Sequence, residues 1–497
     1  DFCKRDIISF FDAEAPFPVY CLECWWSDKW DPLKYGLDFD FNKPFFVQFK
    51  ELLMRVPKAG MLHLNNENSE YNSLLAFSKN TYMSPGSYMV EDCYYIRKSQ
   101  YCKNCVNSNF LDRCELCAFC INCNNCYNTS NLMNCRNCMD AYYLANCNAC
   151  QNCFMCSDVS NKKFCYKNKQ LGEMEYKRVF AENMSKSREK LLKEFKDFVK
   201  TIPKKYQSQL NCENSSGDYI QNCKNSKDCY DCFRLEDCKF MYECVEVKDS
   251  MDISMHDKNV ELCYELCTGG DKSYNVNFAF CTCSSQNCSY MYSCFNMQDC
   301  FGCDSSHSKL KNCILNKQYS PEEYKNLRAR IIEQMRKDGS TPGGGRAWGE
   351  FFPISLSLYP YNFSPAQDYF PLTEDQARAK GYNWKTKNPA NYKIAAVELA
   401  DNIKEVPESI TKEILACKTC GKNYQVILPE YQLSRRLNQP LSRLCSDCRQ
   451  LELNSFKNPR KLCHRKCDKC GVEIESTYAP GSEEKVYCEK CYLELVY

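Results

Sequence analysis

The chain has no run of about 18 apolar residues, so it offers no segment suited to span a bilayer as a helix, and no membrane is expected as a partner. It is poor in histidine: His63, His256, His307 and His464 are scattered, and no Gly-x-Ser-x-Gly elbow, phosphate loop or dinucleotide fingerprint is present. No catalytic residue is assigned, and the protein is expected not to be an enzyme. Net charge is only +2, which removes any global electrostatic case for nucleic acid or membrane. No signal peptide is visible, and the first residue is Asp1 rather than Met, so the natural start is expected upstream. A reducing cytoplasm is the expected compartment.

What the chain has is cysteine: 42 of 497 residues, far more than a core of this size needs for disulfides. Thirty of them fall in two arrays that end alike. Cys165, Asn168-Lys-Gln170 and Glu175-Tyr-Lys177 recur as Cys313, Asn316-Lys-Gln318 and Glu323-Tyr-Lys325, at a constant offset of 148. Near the array starts, Lys79-Asn80 and Glu91-Asp92-Cys93 match Lys224-Asn225 and Glu236-Asp237-Cys238 at an offset of 145. An internal duplication of this kind points to a repeat architecture. In the first array Cys93, Cys114, Cys135 and Cys156 stand 21 apart, which predicts rungs of about 18–21 residues in a triangular β-solenoid. Asn104, Asn134 and Asn146 suit its corners, because asparagine tolerates turn conformations. The fold class expected is therefore mainly β with helical segments: two duplicated Cys-rich β-solenoid-like arrays flanked by zinc ribbons.

The organisation follows. Residues 1–32 form an N-terminal zinc-ribbon fragment, 33–64 a connecting segment with a helix, and 65–172 the first solenoid. Residues 173–210 form a charged helical linker, 211–318 the second solenoid, and 319–342 a helix opened by the capping box Ser320-Pro-Glu-Glu323. Residues 343–414, beginning with the Gly343–Gly345 linker, form an aromatic, proline-rich segment with a short helix capped by Thr373 and Gln376. Residues 415–497 hold tandem C-terminal ribbons.

Three readings exist for the array cysteines. As neutral thiols they are small hydrophobes that stack inside a solenoid. The unbroken three-residue spacing of Cys114, Cys117, Cys120, Cys123 and Cys126 could instead grip metal, although the iron–sulfur spacing is not matched. Disulfides are the third reading, disfavoured by compartment. A buried ladder is the expected state.

The C-terminal module differs. Cys417-x-x-Cys420 pairs with Cys445-x-x-Cys448, and Cys467-x-x-Cys470 with Cys488-x-x-Cys491, spacings that close four-thiolate zinc sites. The N-terminus repeats the second site: Asp1-Phe-Cys3, Ile7, Ser9 and Val19-Tyr20-Cys21-Leu-Glu-Cys24 match Asp468-Lys-Cys470, Ile474, Ser476 and Val486-Tyr487-Cys488-Glu-Lys-Cys491. Cys3, Cys21 and Cys24 are thus three ligands of a site whose fourth cysteine is expected just before Asp1. Two or three structural Zn²⁺ ions are expected. From residue 435 to 470, Arg435, Arg436, Arg443, Arg449, Lys457, Arg460, Lys461, Arg465, Lys466 and Lys469 face only Asp447, Glu452 and Asp468, a local excess of seven positive charges.

The motifs Cys21-Leu-Glu-Cys-Trp-Trp-Ser-Asp-Lys-Trp-Asp-Pro32, Pro44-Phe-Phe46, Asn316-Lys-Gln-Tyr-Ser320, Gly349-Glu-Phe-Phe-Pro353 and Tyr369-Phe-Pro-Leu-Thr373 resemble the cysteine-rich zinc-ribbon repeat proteins common in candidate-phyla-radiation bacteria. The resemblance implies zinc ribbons and a shared architecture but no activity. The leading expectation is a non-catalytic zinc-binding protein associated with RNA or the ribosome. There Arg435, Arg436, Arg443, Arg449, Lys457, Arg460, Lys461, Arg465 and Lys466 would contact phosphates, and Tyr424, Tyr431 and Phe456 would stack on bases. The alternatives are a protein–protein scaffold or self-assembling structural protein, with the Trp25-Trp26/Trp30 cluster meeting a partner or a second copy, and a metal-storage or thiol redox protein.

Overall fold

The computed structural model of the chain describes all residues except 70, 98, 100, 109–114, 122–125, 185, 256, 340–347, 387–391, 394–396 and 497. Cys114, Cys123, His256 and the Gly343–Gly345 linker lie outside the described residues, and of Cys117 and Cys120 only the backbone is described. The chain is mainly strand with helical segments, 28% and 25% respectively.

The repeat is shorter than the cysteine columns suggested. Lys103 pairs in parallel with Glu115, Glu115 with Tyr127, Tyr127 with Met139, Met139 with Gln151 and Gln151 with Lys163, so one strand layer is added every 12 residues. The expectation of 18–21-residue rungs is therefore corrected. Its cause is a period of three. Asn134, Asn137, Asn146, Ala149, Asn152 and Met155 all have φ near +50°, and each is followed directly by a buried cysteine. A left-handed residue turns the chain and aims the next side chain inward. Four such steps make a turn of 12, whereas 21 is merely another multiple of three. A left-handed conformation costs an ordinary L-residue roughly 1–2 kcal/mol, and Asn and Asp lower that by local hydrogen bonding. Here they also bond from turn to turn: Asn134 Nδ2 donates to Asn146 Oδ1 (3.1 Å), and Asn146 Nδ2 to Asp158 Oδ1 (3.0 Å).

The second array follows the same rule with slips. Gly217 pairs with Cys229 and Tyr230 with Tyr242 at a step of 12, but Met251–Tyr264 and Tyr264–Asn277 step by 13. Each extra residue shifts the cysteine phase, which explains the irregular spacing in the sequence. Both arrays end in the same antiparallel hairpin, Cys165 opposite Gln170 and Cys313 opposite Gln318, and a helix follows each, Glu173–Met184 and Pro321–Gly339. The charged helical linker holds two helices, Glu173–Met184 and Arg188–Lys200, the second entered through Ser187 at its N-cap.

The interiors are thiol-lined. Cys93 Sγ lies 3.2 Å from Glu91 O and 3.6 Å from Cys102 O, and Cys156 Sγ lies 3.4 Å from Phe154 O and 3.6 Å from Cys165 O. The S–H groups are thus satisfied by carbonyls of their own and the next turn. Burial pushes Cys238 up to about 12 and Cys165 to about 11, so these are protonated, inert thiols at neutral pH. Cys93, Cys147, Cys156, Cys165, Cys238 and Cys313 are not in disulfides.

The duplication extends beyond the arrays. Phe45, Phe46, Phe49, Pro57 and Lys58 correspond to Leu191, Leu192, Phe195, Pro203 and Lys204 at an offset of 146. The helix Phe45–Arg55 packs on the second array through Phe301, Tyr290 and Leu315, while Arg188–Lys200 packs on the first through Tyr143 and Phe154. Among the described residues, no helix is long and apolar enough to cross a membrane.

Candidate metal centre

Three cysteine groups gather their sulfurs within 4.8 Å of one another: Cys417, Cys420, Cys445 and Cys448; Cys467, Cys470, Cys488 and Cys491; and Cys3, Cys21 and Cys24. All eleven cysteines expected as ligands are brought together as the spacing required. Among the described residues, the array cysteines form no such group.

Each four-cysteine group is built from a hairpin turn and a helix start. Leu415–Ala416 pairs with Asn423–Tyr424, placing Cys417 and Cys420 in the turn, where Gly421 takes φ +73° and its N–H donates to Cys417 O at 2.9 Å. Only glycine takes that conformation without cost. Cys445 then stands at the N-cap position of the helix Ser446–Asn454. The second group repeats the plan with Cys463–Lys466 paired to Glu473–Ser476, Gly471 at φ +76°, and the helix Glu489–Val496. Burial opposes ionisation of Cys417 and Cys467, yet backbone N–H groups, from Cys445, Cys420 and Thr419 and from Cys488, Cys470 and Lys469 respectively, outweigh it and bring both thiols down to about 6.

The geometry fits a tetrahedral ion. A tetrahedron with metal–sulfur bonds of about 2.3 Å has edges of about 3.8 Å. Cys420 Sγ and Cys445 Sγ are 3.6 Å apart, and Cys470 Sγ and Cys488 Sγ 3.7 Å. Four converging thiolates are also a soft donor set with no position left for water, so these groups could hold a metal ion structurally.

The N-terminal group shows the same local design. Cys3 Sγ and Cys21 Sγ are 3.6 Å apart, and Asp1 Oδ2 accepts from the Val19 N–H at 2.8 Å just as Asp468 Oδ2 accepts from the Val486 N–H at 2.6 Å. Arg5 donates to both sulfurs at 3.4 Å.

Both ribbons dock in equivalent places. Val19–Tyr20 pairs in parallel with Lys58–Ala59, and Val486–Tyr487 with Lys204–Lys205. Lys58, at the entrance to the first array, pairs with buried Asp304 at the end of the second. Lys204, at the entrance to the second, approaches Asp158 at the end of the first at 3.6 Å. Each ribbon therefore sits on a junction between the start of one array and the end of the other. Trp25 is fully buried at the first junction, its Nε1 donating to Pro57 O at 3.2 Å and its ring packed against Phe295 and His307. The tryptophan cluster is thus an internal seam between ribbon and array.

The basic stretch is largely turned inward, which its sequence did not suggest. Arg449 is 1% exposed, paired with Glu430 at 2.7 Å and set over the Tyr95 ring at 4.3 Å. Lys457 meets Asp231 at 2.8 Å; Arg460 meets Asp231 at 2.9 Å, also pairs with Glu243, and stacks on Tyr369. Asp231 and Glu243 are buried residues of the second array. Arg449, Lys457 and Arg460 thus face the protein's own acids, which takes them away from the phosphate contacts expected of them. Arg465 bonds Asp468 and the carbonyls of Tyr478 and Ala479, and Arg443 bonds Asp401 and Leu399 O. Arg435 reaches Ile403 O and Lys404 O at 3.3 Å but stays exposed, as do Arg436, Lys461 and Lys466. The aromatics are engaged as well: Tyr424 and Tyr431 hydroxyls donate to Ser442 O and Val406 O, each at 2.9 Å, and Phe456 lies under Lys196. Asp231, Glu243 and Glu430 carry no motif that would have announced them.

Compared with family models and with curated proteins, the chain matches none.

Proposed function

We propose that this is a non-catalytic, zinc-stapled scaffold protein, in which two short Cys-rich solenoids are held at their junctions by zinc ribbons. The observation that supports it most is the docking: each ribbon lends a strand to the segment entering an array, and the basic residues of the C-terminal ribbon neutralise carboxylates of the arrays. Zinc is the metal favoured by a closed, tetrahedral, all-thiolate donor set. A second reading, contact with RNA, is supported by the exposure of Arg435, Arg436, Lys461 and Lys466. The test is a nuclease-treated pull-down from cell extract beside elemental analysis. The scaffold reading expects two or three zinc ions per chain and recovery of a defined protein partner that survives nuclease. Recovery of ribosomal material lost on nuclease treatment and on replacing those four cations would establish the RNA reading instead.

A further inference from the structure

A groove of about 640 Å³ lies between the early turns of the first array and the helix Leu428–Arg436 of the C-terminal module. Its volume falls within the roughly 300–1,000 Å³ of small-ligand sites. One wall carries Asn68, Asn80 and Asp92, which follow one another at the 12-residue step and so present one polar side chain per turn, about 4.8 Å apart. Asn68 Nδ2 donates to Asn80 Oδ1 at 3.0 Å, and Asn80 Nδ2 to Asp92 Oδ1 at 2.9 Å. An amide has two N–H donors and its oxygen two lone pairs, so this ladder engages only part of its capacity. Beside it Tyr71, about half exposed, packs 5.4 Å from Tyr82, which in turn packs 5.6 Å from Tyr95. Arg449, buried under Tyr95, anchors that column of rings. Arg436 lines the facing wall.

We propose that this groove binds an extended, uncharged, β-linked oligosaccharide. The reasoning rests on spacing and charge. A pyranose unit in an extended β-linked chain advances by close to one strand spacing and successive units are flipped, so alternate sugars present the same face at about every second rung, roughly 9.6 Å apart. An extended peptide presents same-face side chains only about every 6.8 Å, out of step with the ladder. A nucleic-acid strand needs a track of cations, whereas among the described lining residues Arg436 is the one cation and Asp92 opposes it. The ladder's amides and carboxylate suit hydroxyl groups, which both donate and accept, and the face of Tyr71 suits the C–H face of a sugar ring. Comparable ladders hold other faces of the stacks together, for example Asn275–Asn287–Asp299. Here the ladder also meets a second wall supplied by the C-terminal module. The site rests on the scaffold reading, because the docked ribbon module is that wall.

The test is calorimetric titration of the full, metal-loaded chain with a panel of uncharged β-linked hexasaccharides, cellohexaose and chitohexaose among them, with oligouridylate as the competing polymer. Zinc content and melting temperature are measured on every sample. Saturable binding to at least one hexasaccharide is expected, weakened about tenfold or more by Tyr71→Ala, the loss of one stacked ring. Arg436→Ala should weaken it too while leaving zinc content and melting unchanged. The proposal is overturned if fully zinc-loaded protein binds no hexasaccharide, if both substitutions leave binding intact, or if oligouridylate binds and the sugars do not. Failure of the scaffold reading would show separately, as zinc below two ions per chain or melting unaffected by chelator.

Discussion

Replacing Arg460 by methionine tests whether the basic stretch serves the fold. The arginine joins the C-terminal ribbon to two carboxylates of the second array, Asp231 and Glu243, each only 3% exposed at the side chain. In R460M, Lys457 still covers Asp231, and Glu243 loses the Arg460 cation while keeping the hydrogen bond from the Tyr369 hydroxyl at 2.9 Å. Removing one partner of a buried ion pair typically costs about 3–5 kcal/mol. The cost has a ceiling, because a carboxyl of ordinary pKa about 4.3 can take up a proton, which at pH 7 costs about 4 kcal/mol. At pH 5 the same escape costs only about 1 kcal/mol. Loss of the stacking on Tyr369 adds about 0.5–2 kcal/mol at either pH. The chain has many parts, so the quantity to measure is the local opening free energy from hydrogen exchange of residues 228–246 and 457–462. R460M should lower it by about 4 kcal/mol at pH 7, and the deficit should shrink by up to about 3 kcal/mol at pH 5. A deficit below about 1 kcal/mol at pH 7, or one independent of pH, would refute the reasoning. Arg460 would then face solvent and be available to phosphate.

Other expectations follow from the same geometry. Cys445→Ser should remove one zinc equivalent and loosen exchange protection of Leu428–Arg436 and Ser446–Asn454, while Cys147→Ser leaves zinc content unchanged; mass spectrometry under native conditions reads both. Burial, opposed by its pairing with Lys58, lifts Asp304 to about 6, so the folded state binds a proton there that the unfolded chain releases. Its contribution to stability is full below about pH 4 and is lost as pH rises through 6. Asp304→Asn should therefore lessen the fall in melting temperature between pH 4 and 7, part of which remains because burial also lifts Asp218 to about 6, and an unchanged profile would contradict the assignment. Iodoacetamide at pH 8 should spare Cys238, Cys263 and Cys165 in the folded protein, whose thiols burial pushes up to about 11–12, and should label the ribbon cysteines once chelator has removed their metal; peptide mapping distinguishes the two sets.

The parts of this protein that are local in sequence were legible there. A Cys-x-x-Cys knuckle, its glycine and the helix or strand beside it lie within a few residues, so Cys417 to Cys491 could be grouped correctly from spacing alone. The duplication was legible for the same reason, since Asn-Lys-Gln at 168–170 and 316–318 closes the same hairpin twice. The burial of Cys135, Cys138, Cys147, Cys150, Cys153 and Cys156 also followed from residue type, because cysteine at a constant phase of three belongs to one buried face.

Tertiary structure decided the remainder. A phase of three is compatible with a turn of 12, 18 or 21 residues, and only the corner angle of each left-handed residue selects 12, with Glu115 over Lys103. The local sum of charge from Arg435 to Lys469 was legible, but its destination was not. Asp231 and Glu243 meet Lys457 and Arg460 only when the ribbon docks, across separations from 217 to 229 residues that no spacing rule reaches. Likewise Val486–Tyr487 finds Lys204–Lys205 because a strand edge needs hydrogen-bond partners, and the fold places that edge beside it.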